Sequence, residues 1–466
     1  MKKYFNKKIG KKEKIHFIGI GGIGMSGLAQ VMHRMGFKVQ GSDVSKSKNV
    51  ERCKKIGIKV FSKHDKKNLK EATIVVRSSA IKNQNIEIIT SKKRKIKIFK
   101  RAEMLGHVVS LKKNIVVTGS HGKTTTTSLI AKILSEARLD PTIVNGGVIN
   151  SLGGSAKLGK GDWAVLEADE SDGSFLNLPV NFSVVTNVDK EHLDFYKNFE
   201  NLKKSFNNFI NKTPTLGKSF ICWDNKEIRN MVSSVKNKNY LTYGFNNKAN
   251  YKIFNTIYEK DSSIFDLRIS TPLIKNKIIK KIKVNLIGSY NVLNSVAAIA
   301  LCSYIGINIK IIKKSLKEFA GIQRRMTRVL KYKSNDFYDD YAHHPTEIKS
   351  VLESLKRTNK KRNITSIFQP HRFSRLRLLK KDFSYSFKNS DKLILCPVYS
   401  AGEKTDRNYD QIGFSKLIAK NSKVQVILIK DQQELNRYLK KNILKNEIII
   451  GMGAGSITKW MREINF

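Results

Sequence analysis

The segment TGSHGKT at residues 118–124 has the residue types of a phosphate-binding loop. An apolar run at 115–117 precedes it and indicates a buried strand, and the residues after it are compatible with a helix. Backbone N–H groups converge in such a loop, the helix dipole favours anions, and Lys123 adds a point charge for the outer phosphates. Thr124 supplies a hydroxyl where Mg²⁺ would bind. The segment therefore predicts a nucleoside triphosphate site.

The spacing of this loop is shorter than the usual one. The usual pattern requires a glycine at the position of Val117, and the alternative interpretation is a polar turn before a helix. The strand context, the positions of Gly119 and Gly122, and the Lys-Thr pair all favour the nucleotide site.

A group of acids follows the next predicted strand, at 162–167. Glu167 ends this strand, and Asp169, Glu170 and Asp172 come directly after it. A carboxylate at the C-terminal end of a strand downstream of a phosphate loop is suited to bind a metal ion. The alternative is an acidic loop, but four acids within six residues are unusual in a chain whose net charge is +50.

A single histidine, His192, follows a further predicted strand at 182–187. It lies beyond the strand end, on the edge where the phosphates would lie. Such a histidine is more often a surface or packing residue than a metal ligand, so both interpretations stay open on this evidence.

A second glycine-rich segment, GIGGIG at residues 19–24, satisfies the pattern G-x-G-x-x-G. Predicted strands at 15–18 and 37–40 and a helix at 25–35 surround it, and Asp43 lies 19 residues after its last glycine. This βαβ unit on its own predicts dinucleotide binding.

Three regions of alternating strands and helices must position these residues, so we predict an α/β fold with three domains. Residues 1–108 form a Rossmann-like domain, 109–322 a central P-loop ATPase-type domain, and 323–466 a C-terminal Rossmann-like domain. Short runs of lysine and apolar residues over 220–285 predict antiparallel strands at a periphery. Asn291 and Asn294 share one face of a predicted helix, where they could cap it or contact a base.

The composition of the chain limits the classes of protein to which it can belong. The chain has 466 residues, and no stretch of about 18 uncharged apolar residues is present, so we expect no membrane insertion. The four cysteines are far apart without CxxC spacing, which argues against a zinc site or disulfide framework and fits a reducing cytoplasm.

The charge of +50 admits two interpretations, binding to nucleic acid or anionic membrane, or a lysine-rich surface without a specific partner. Lysines are spread over the whole length, and no arginine-rich arm or RNP-like motif accompanies them. We therefore expect no specific nucleic-acid partner, although the charge excess could steer anionic substrates.

Eight motifs in one order resemble the Mur ligase family: GIGGIGMSGLA, TGSHGKTTTT, EADESD, NVDKEHLD, GSYNVLNS, RR before DDYAHHPTE, FQPHRFSR and MGAGS. They cover roughly residues 14 to 460. Within the family they most resemble the member that attaches L-alanine to UDP-N-acetylmuramate. The resemblance implies ATP, UDP-N-acetylmuramate and L-alanine as substrates and Mg²⁺ as cofactor. It implies that the lactyl carboxylate attacks the γ-phosphate and that the alanine amine displaces phosphate from the resulting acyl phosphate. We expect a cytoplasmic protein that is a monomer or a homodimer.

The resemblance also assigns residues to sites. The catalytic residues would be Lys123, Glu167 and His192, and the metal ligands Thr124, Glu167 and His192. The predicted ATP site comprises Gly119, Ser120, His121, Gly122, Lys123, Thr124, Thr125, Asn291, Asn294, Arg325 and Asp340. The predicted UDP-substrate site comprises Gly21, Gly22, Gly24, Ser42, Asp43, Ser78 and Ser79. The predicted amino-acid site comprises Tyr341, His343, His371, Arg372 and Arg375.

The chain departs from the family pattern at two positions, Tyr290 where many relatives carry His and Ser456 where many carry Asp. Three further functions remain as alternatives. A nicotinamide-dependent dehydrogenase leaves the phosphate loop unexplained, and a nucleic-acid-binding ATPase leaves GIGGIG and FQPHRFSR unexplained. The third is a ligase of the same family that attaches a recycled peptide to UDP-N-acetylmuramate, and the sequence alone does not exclude it.

Overall fold

The computed structural model describes residues 13–233, 238–406 and 408–466. The chain divides into two compact units. The first unit contains the described residues up to Thr256 together with Phe265–Val284 and Leu293–Ala320. The second contains Ile257–Ile264, Asn285–Val292 and Gly321–Phe466. Among the described residues, none of the helices combines the length and the apolar character that crossing a membrane requires.

The first sheet has five parallel strands in the order β3-β2-β1-β4-β5. Its strands are β1 Lys14–Ile18, β2 Lys38–Ser42, β3 Lys59–Phe61, β4 Ile74–Arg77 and β5 Lys97–Lys100. Its helices are α1 Ile23–Arg34, α2 Lys48–Lys55, α3 Ile86–Lys93 and α4 Arg101–Val109, with a 3₁₀ turn at Lys66–Leu69. The strand order reverses between β1 and β4, and ligands bind at such a point in open α/β sheets.

The second sheet has ten strands in the order β15-β14-β13-β12-β11-β10-β6-β9-β7-β8. Its strands are β6 Lys113–Thr118, β7 Thr142–Ile149, β8 Gly154–Lys157, β9 Trp163–Glu167, β10 Phe182–Val185, β11 Lys218–Cys222, β12 Tyr240–Gly244, β13 Tyr251–Tyr258, β14 Ser263–Thr271 and β15 Ile274–Val284. Its helices are α5 Lys123–Glu136, α6 Leu193–Tyr196, α7 Phe199–Asn211, α8 Lys226–Val232, α9 Ser289–Tyr304 and α10 Ile309–Lys317, with 3₁₀ turns at Asn150–Leu152 and Ser174–Asn177.

The third sheet has six strands in the order β16-β17-β21-β18-β19-β20, all parallel except β16, which is antiparallel to β17. Its strands are β16 Thr327–Tyr332, β17 Asn335–Asp340, β18 Asn363–Phe368, β19 Lys392–Leu395, β20 Gln425–Leu428 and β21 Glu447–Met452. Its helices are α11 Pro345–Thr358, α12 Phe373–Ser384, α13 Gln411–Ser422, α14 Gln432–Asn442 and α15 Ile457–Arg462.

The predicted α/β class with Rossmann-like and P-loop-type domains is confirmed. Runs such as 115–117, 364–368 and 447–450 form buried central strands because helices cover both faces of a parallel sheet. The predicted domain boundaries stay a prediction, since the first two predicted domains lie in the same compact unit.

One expectation holds only in part. Residues 220–285 were predicted to form antiparallel strands at a periphery, and β14 and β15 do form a hairpin at the edge of the second sheet. However, β11, β12 and β13 pair in parallel, and α8 also lies within this segment. Short apolar runs do not reveal strand direction, because the crossover helix that permits parallel pairing is identified only when the sheet is known.

Candidate active site

The phosphate loop joins the end of β6 to the first residue of α5, as predicted. Gly119 has φ of 132° and Gly122 has φ of 80°, values that favour glycine. A Cβ at residue 119 would lie 2.1 Å from Thr186 Oγ1, and one at residue 122 would lie 2.4 Å from Asn294 Oδ1. Both glycines are therefore required by backbone conformation and by the close approach of neighbours.

The end of β10 fixes the conformation of this loop. The Ser120 N–H donates to the Asn187 carbonyl (3.1 Å), and the His121 N–H donates to Asn187 Oδ1 (2.8 Å). His121 Nε2 lies 3.1 Å from Asp189 Oδ2. In this conformation these two N–H groups are held by Asn187, so Ser120 and His121 position the loop by contacts with residues that follow β10.

The Lys123 side chain is folded back over the loop. Its Nζ donates to the carbonyl oxygens of Gly119 (2.6 Å) and Ser120 (3.1 Å), and it lies 3.2 and 2.9 Å from the two Glu170 oxygens. The Glu170 side chain is fully buried, and that of Lys123 is 14% exposed. A buried cation and a buried carboxylate thus compensate each other at the loop.

Nearby charge and burial shift the pKa values of Lys123 and Glu170 in opposite directions. Burial lowers the pKa of Lys123, but the carboxylates of Glu170, Asp169 and Glu167 outweigh it and raise that pKa. Burial raises the pKa of Glu170 more than Lys123 lowers it. We interpret the pair as charged, because Lys123 contacts both carboxylate oxygens and stays protonated.

Glu167, the last residue of β9, contacts the first turn of α5. Its Oε1 accepts a hydrogen bond from the Thr124 hydroxyl (3.1 Å), and its Oε2 accepts one from the Gly146 N–H (2.6 Å). Burial raises the pKa of Glu167, while Lys123 and these hydrogen bonds oppose the rise. The hydroxyl and the carboxylate predicted as metal ligands are thus neighbours.

The predicted metal set is only partly brought together. His192 lies 3.2 Å from Glu191 and 3.6 Å from Glu170, and Asp169, Glu170 and His192 offer ligand atoms that lie within 4.8 Å of one another. Burial lowers the pKa of His192, but Glu191, Glu170 and Asp169 raise it overall. The structure therefore groups His192 with Glu170 and Asp169, and Glu167 with Thr124.

The remaining residues of the predicted ATP site lie on helices. Thr125 is buried in the first turn of α5. Asn294 accepts a hydrogen bond from the Thr126 hydroxyl (3.3 Å) and lies against Gly122. Asn291 Nδ2 donates to the Ile287 carbonyl (2.9 Å), a contact at the start of α9. Asn294 thus lies next to the phosphate loop. Asn291 belongs to the second compact unit.

The GIGGIG segment joins β1 to α1 and contacts Asp43 directly. The Gly21 N–H donates to Asp43 Oδ2 (2.7 Å), so the predicted acid holds the loop in this structure. A Cβ at Gly24 would lie 3.2 Å from the Arg101 side chain, which places that guanidinium over the start of α1. Gly22 is the residue before the helix. A cation beside a helix N-terminus is a suitable partner for a pyrophosphate group.

The three serines of the predicted UDP-substrate site differ in their surroundings. The Ser42 hydroxyl is fully buried and donates to Glu87 Oε2 (2.6 Å), so it belongs to the interior of the first sheet. Ser78 lies beside Gly19, because a Cβ added to Gly19 would lie 3.1 Å from the Cβ of Ser78. Ser79 is exposed. Ser78 and Ser79 thus follow β4 at the point where the strand order reverses.

In the second unit, buried Asp340 and partly exposed Arg325 lie in one polar cluster. Asp340 accepts hydrogen bonds from the N–H groups of Met326 (2.7 Å) and Ala342 (2.8 Å), and Arg325 lies 3.4 Å from Glu347. Burial raises the pKa of Asp340 to about 6, although Arg325 opposes this. Glu347 also accepts a hydrogen bond from the His343 N–H (3.1 Å), so it connects the two predicted sites.

The predicted amino-acid site forms a row of rings and guanidinium groups. The ring centroids of Tyr341 and His343 are 5.1 Å apart, and those of His343 and His371 are 5.8 Å apart. The Arg375 guanidinium lies 3.1 Å from His371 Nδ1. Since arginine can only donate, Nδ1 accepts and the proton of the neutral ring lies on Nε2.

The same region is strongly basic. Burial lowers the pKa of His371 to about 3, and the nearby charges of His343, Arg375, Arg372 and Arg324 add to this shift. The Nε atoms of Arg324 and Arg372 are buried without a hydrogen-bond partner. Unpaired buried guanidinium nitrogens of this kind point to an anionic ligand.

The two departures from the family pattern lie in the second unit. Tyr290 packs beside the apolar core of the third sheet, and burial raises its pKa well above the usual value. Ser456 Oγ accepts a hydrogen bond from Gln369 Nε2 (2.9 Å), which connects the MGAGS segment to the FQPHRFSR segment.

Several residues with contacts at these sites were absent from the predicted set. Asp169 and Glu170 were noted only as nearby acids of EADESD. NVDKEHLD contains Asn187 and Asp189, DDYAHHPTE contains Glu347, and Arg324 belongs to the RR pair, whereas Arg101 and Tyr399 lie outside these motifs. The residues are Arg101, Asp169, Glu170, Asn187, Asp189, Arg324, Glu347 and Tyr399.

Comparison with known proteins agrees with a ligase architecture of three consecutive domains. The family model described as "Mur ligase family, catalytic domain" matches residues 14–113, "Mur ligase middle domain" matches 117–302, and "Mur ligase, glutamate ligase domain" matches 324–455. The chain belongs to the Mur ligase family.

Two curated relatives are UDP-N-acetylmuramate–L-alanine ligases. The one from Pelagibacter ubique is 55% identical, with 98% of each chain covered, and the one from Rhizobium johnstonii is 40% identical, with 96% of this chain and 95% of the relative covered. Among solved structures, UDP-N-acetylmuramate–alanine ligase from Thermotoga maritima has a TM-score of 0.81 at 26% identity, with 97% and 98% covered. A murein peptide ligase from Psychrobacter arcticus has the same fold, with a TM-score of 0.70 at 20% identity and 97% and 100% covered.

Proposed function

We propose that this protein joins L-alanine to the lactyl carboxylate of UDP-N-acetylmuramate at the expense of ATP, a step of peptidoglycan synthesis. The observation that carries the proposal is the contact of Thr124 with Glu167 beside Lys123, at the N-terminus of α5. Hydroxyl, carboxylate and lysine in this position suit a metal–triphosphate complex. The 55% identity to the alanine ligase of Pelagibacter ubique, over nearly the full length of both chains, supports the choice of substrates.

The peptide-recycling ligase is the less supported alternative. The murein peptide ligase from Psychrobacter arcticus shares 20% identity with the chain, and at this identity the similarity supports only a shared fold. The relatives that share 40% identity or more, over almost the whole chain, bear the name of the alanine enzyme.

ATP and Mg²⁺ would bind at the phosphate loop. Lys123 would leave the Glu170 carboxylate to contact the β- and γ-phosphates, with Gly119, Ser120, His121, Gly122 and Thr125 shaping the loop. Thr124 and Glu167 offer oxygen ligands 3.1 Å apart, which suits a hard divalent cation, and His192 with the nearby acids would complete the set. Bound Mg²⁺ would offset the charge that accumulates when a carboxylate approaches the triphosphate.

The UDP moiety would bind at the reversal of strand order in the first sheet. Gly21, Gly22 and Gly24 would allow the pyrophosphate to approach the N-terminus of α1, and Arg101 would supply a positive charge beside it. Asp43, Ser78 and Ser79 follow strands at this edge and would contact the uridine or phosphate, whereas buried Ser42 would position Asp43.

The alanine carboxylate would bind among the guanidinium groups of the second unit. Arg372 has a buried Nε without a partner, and Arg375 orients the His371 ring. Tyr341 and His343 would line the same site, while Arg325, Asp340, Asn291 and Asn294 would contribute to nucleotide binding. A neutral His371 leaves the arginines as the positive charges that attract the carboxylate.

The chemistry follows from bringing two anions together. The lactyl carboxylate oxygen attacks the γ-phosphorus, the bond to the ADP oxygen breaks, and an acyl phosphate forms. The alanine amine then attacks the acyl carbon, loses a proton and displaces phosphate through a tetrahedral intermediate. Lys123 acts in the first step because it neutralises negative charge on the transferred group.

We also propose that the protein is located in the cytoplasm. Cys53, Cys222, Cys302 and Cys396 are buried with free thiols, which fits a reducing cytoplasm. A monomer or a homodimer is proposed.

Phosphate release from ATP with UDP-N-acetylmuramate tests the proposal, with L-alanine, glycine, L-serine and a muropeptide compared as acceptors. We expect turnover that depends on both UDP-N-acetylmuramate and L-alanine. Turnover with the muropeptide and none with L-alanine would establish the recycling ligase instead. Turnover stimulated by DNA without either substrate would refute the ligase assignment.

A further inference from the structure

One face of the first unit concentrates the lysines that are otherwise spread along the chain. We define the lysine-rich face by nine residues, which lie on β15 and on α10: Lys275, Lys277, Lys280, Lys281, Lys283, Lys310, Lys313, Lys314 and Lys317. The two elements pack together, and Lys313 Nζ donates to the Lys280 carbonyl (3.0 Å). Two neighbouring elements at the edge of the second sheet thus carry these nine lysines.

The acids near this face are few and already engaged. Residues 265–284 contain five lysines, one arginine and a single acid, Asp266, and residues 309–317 contain four lysines and no acid. The Asp266 carboxylate accepts hydrogen bonds from the Lys281 N–H (2.7 Å) and from Asn255 (3.0 Å). Glu136 on α5 lies 3.9 Å from Lys314 and also pairs with Lys132. Nine lysines against these two acids leave a net positive charge, and none of the nine belongs to the proposed catalytic site.

The tip of the β14–β15 hairpin combines this charge with exposed apolar side chains. β14 ends at Thr271 and β15 begins at Ile274, and the two strands are neighbours, so a two-residue connection requires a hairpin. Leu273 is 86% exposed, Ile278 is 52% exposed and Ile274 is 37% exposed. Three exposed large apolar side chains within six residues, surrounded by lysines, are typical of segments that bind at a membrane interface.

We propose that this lysine-rich face with the hairpin tip binds the surface of a bilayer that contains anionic lipids. The lysines would lie near the headgroups, and Leu273, Ile274 and Ile278 would enter the interface between headgroups and acyl chains. The binding is peripheral, since no described helix spans a membrane. It would hold the enzyme at a membrane through surface contacts of β15, α10 and the hairpin.

Edge protection and nucleic-acid binding each account for this surface less well. Lysines on β15, the edge strand of the sheet, also discourage pairing with the edge of another molecule, but this does not explain exposed leucine and isoleucine at the tip. Lysines alone can bind nucleic-acid phosphates, but residues 271–284 contain no arginine and no stacking aromatic side chain, and phosphate binding leaves the exposed apolar side chains unexplained. An apolar tip flanked by lysines favours a lipid surface.

Sedimentation of the full-length protein with vesicles tests the proposal. We expect the protein to sediment with vesicles of phosphatidylglycerol and phosphatidylcholine and to stay in solution with phosphatidylcholine alone, and added salt to weaken the binding. Each lysine near an anionic surface raises partitioning about fivefold. The combined variant with Lys275, Lys277, Lys280 and Lys281 each changed to Gln should therefore bind about 600-fold more weakly. Leu273→Ser with Ile278→Ser should weaken binding about tenfold or more.

Matched control variants distinguish vesicle binding by this face from vesicle binding by the overall positive charge of the chain. The charge control changes four exposed lysines of the second unit to Gln: Lys416, Lys420, Lys440 and Lys441. The apolar control is Leu216→Ser, which removes a side chain that is 97% exposed on another loop. Both controls should bind vesicles as the unchanged protein does, and all variants should keep alanine-dependent turnover, which shows that they are folded.

Three results would overturn the proposal. The first is the absence of binding to the anionic vesicles. The second is an equal loss of binding in the charge control, which would mean that the diffuse positive charge is responsible. The third is a hairpin variant that loses affinity for duplex DNA while its vesicle binding is unchanged, which would assign the face to nucleic acid.

Discussion

The two carboxylate oxygens of Glu170 lie 2.9 and 3.2 Å from Nζ of Lys123, and the Glu170 side chain is fully buried. The lysine that the phosphate loop would offer to ATP is thus held by an internal carboxylate. In the proposed complex the phosphates of ATP would replace Glu170 as the partner of this cation. Glu170 would then take part in nucleotide binding, although it follows β9 and lies outside the loop.

Glu170→Gln should destabilise the protein in the absence of nucleotide. Removing one partner of a buried ion pair costs about 3 kcal/mol, because the other charge stays buried. Bound ATP would supply new negative charge to Lys123, so the loss should shrink when a non-hydrolysable ATP analogue is present. Urea unfolding with and without the analogue measures this. The control Glu136→Gln removes a partly exposed partner of Lys132 and should change stability little. An equal loss with and without nucleotide would contradict the replacement of Glu170 by phosphate.

Lys123→Ala should abolish alanine-dependent phosphate release while UDP-N-acetylmuramate binding stays largely intact. The reason is that Lys123 belongs to the phosphate loop after β6, whereas the proposed uridine site belongs to the first sheet. Calorimetric titration with UDP-N-acetylmuramate, alongside the turnover assay, checks both parts. Lys132→Ala on the same helix serves as the control and should keep turnover. Equal loss of turnover and of UDP-substrate binding would show that the two sites are not separate.

Arg372→Lys and Arg375→Lys should each raise the KM for L-alanine about tenfold to a hundredfold. A lysine keeps the charge but loses the fork of donors that suits a carboxylate. The KM for ATP should change little. The control is Arg377→Lys on the same helix, because its side chain is 74% exposed and pairs with Asp406. A parallel rise in the KM for ATP would indicate a general disturbance of the second unit.

Acid should destabilise the first sheet through Glu87. Burial would raise the pKa of this carboxyl, but His16, Ser42 and Asn68 lower it from 4.5 to about 2. A lowered folded-state pKa stabilises the protein above pH 4.5, and this stabilisation is lost as the pH falls towards 2. The contribution is about 3 kcal/mol at neutral pH, at about 1.4 kcal/mol per pH unit.

Glu87→Gln tests this expectation by urea unfolding across the acid range. The difference in unfolding free energy between the unchanged protein and the variant should shrink as the pH falls through that window. Glu353→Gln is the control, because its pair with Arg357 is about half exposed on a helix surface. A difference that stays constant down to pH about 2 would show that the Glu87 carboxylate does not supply the acid sensitivity.

The local motifs of this chain could be read from its sequence because their chemistry depends on residues close in the chain. TGSHGKT required a strand before it and a helix after it, and β6 and α5 lie there. GIGGIG and Asp43 likewise belong to one βαβ unit, in which the Gly21 N–H donates to the predicted acid. Backbone conformation at Gly119 and Gly122 follows from residue type, since only glycine accepts such a turn without strain.

The partners of these motifs depended on which strands lie side by side. Ser42 and Asp43 are adjacent in sequence, but Ser42 ends β2 with its hydroxyl in the interior against Glu87, while Asp43 contacts the glycine loop. Glu167 and Glu170 both belong to EADESD, but Glu167 contacts Thr124 and Glu170 contacts Lys123. Arg101 reaches the GIGGIG loop from a distant part of the chain and lies outside every quoted motif, so no local pattern identified it. Asn187 belongs to NVDKEHLD, but its contact with the phosphate loop depends on the parallel pairing of β10 with β6.

The sequence by itself determined the family, the three regions of alternating strands and helices, and the glycine loops, because these follow from short-range patterns and motif order. The tertiary structure decided which carboxylate holds Lys123, which serine is buried, and which lysines share one face. Each of these depends on strand order and on the direction in which a side chain leaves its strand. A shift of one residue reverses that direction, so these relationships appear only when the sheets are assembled.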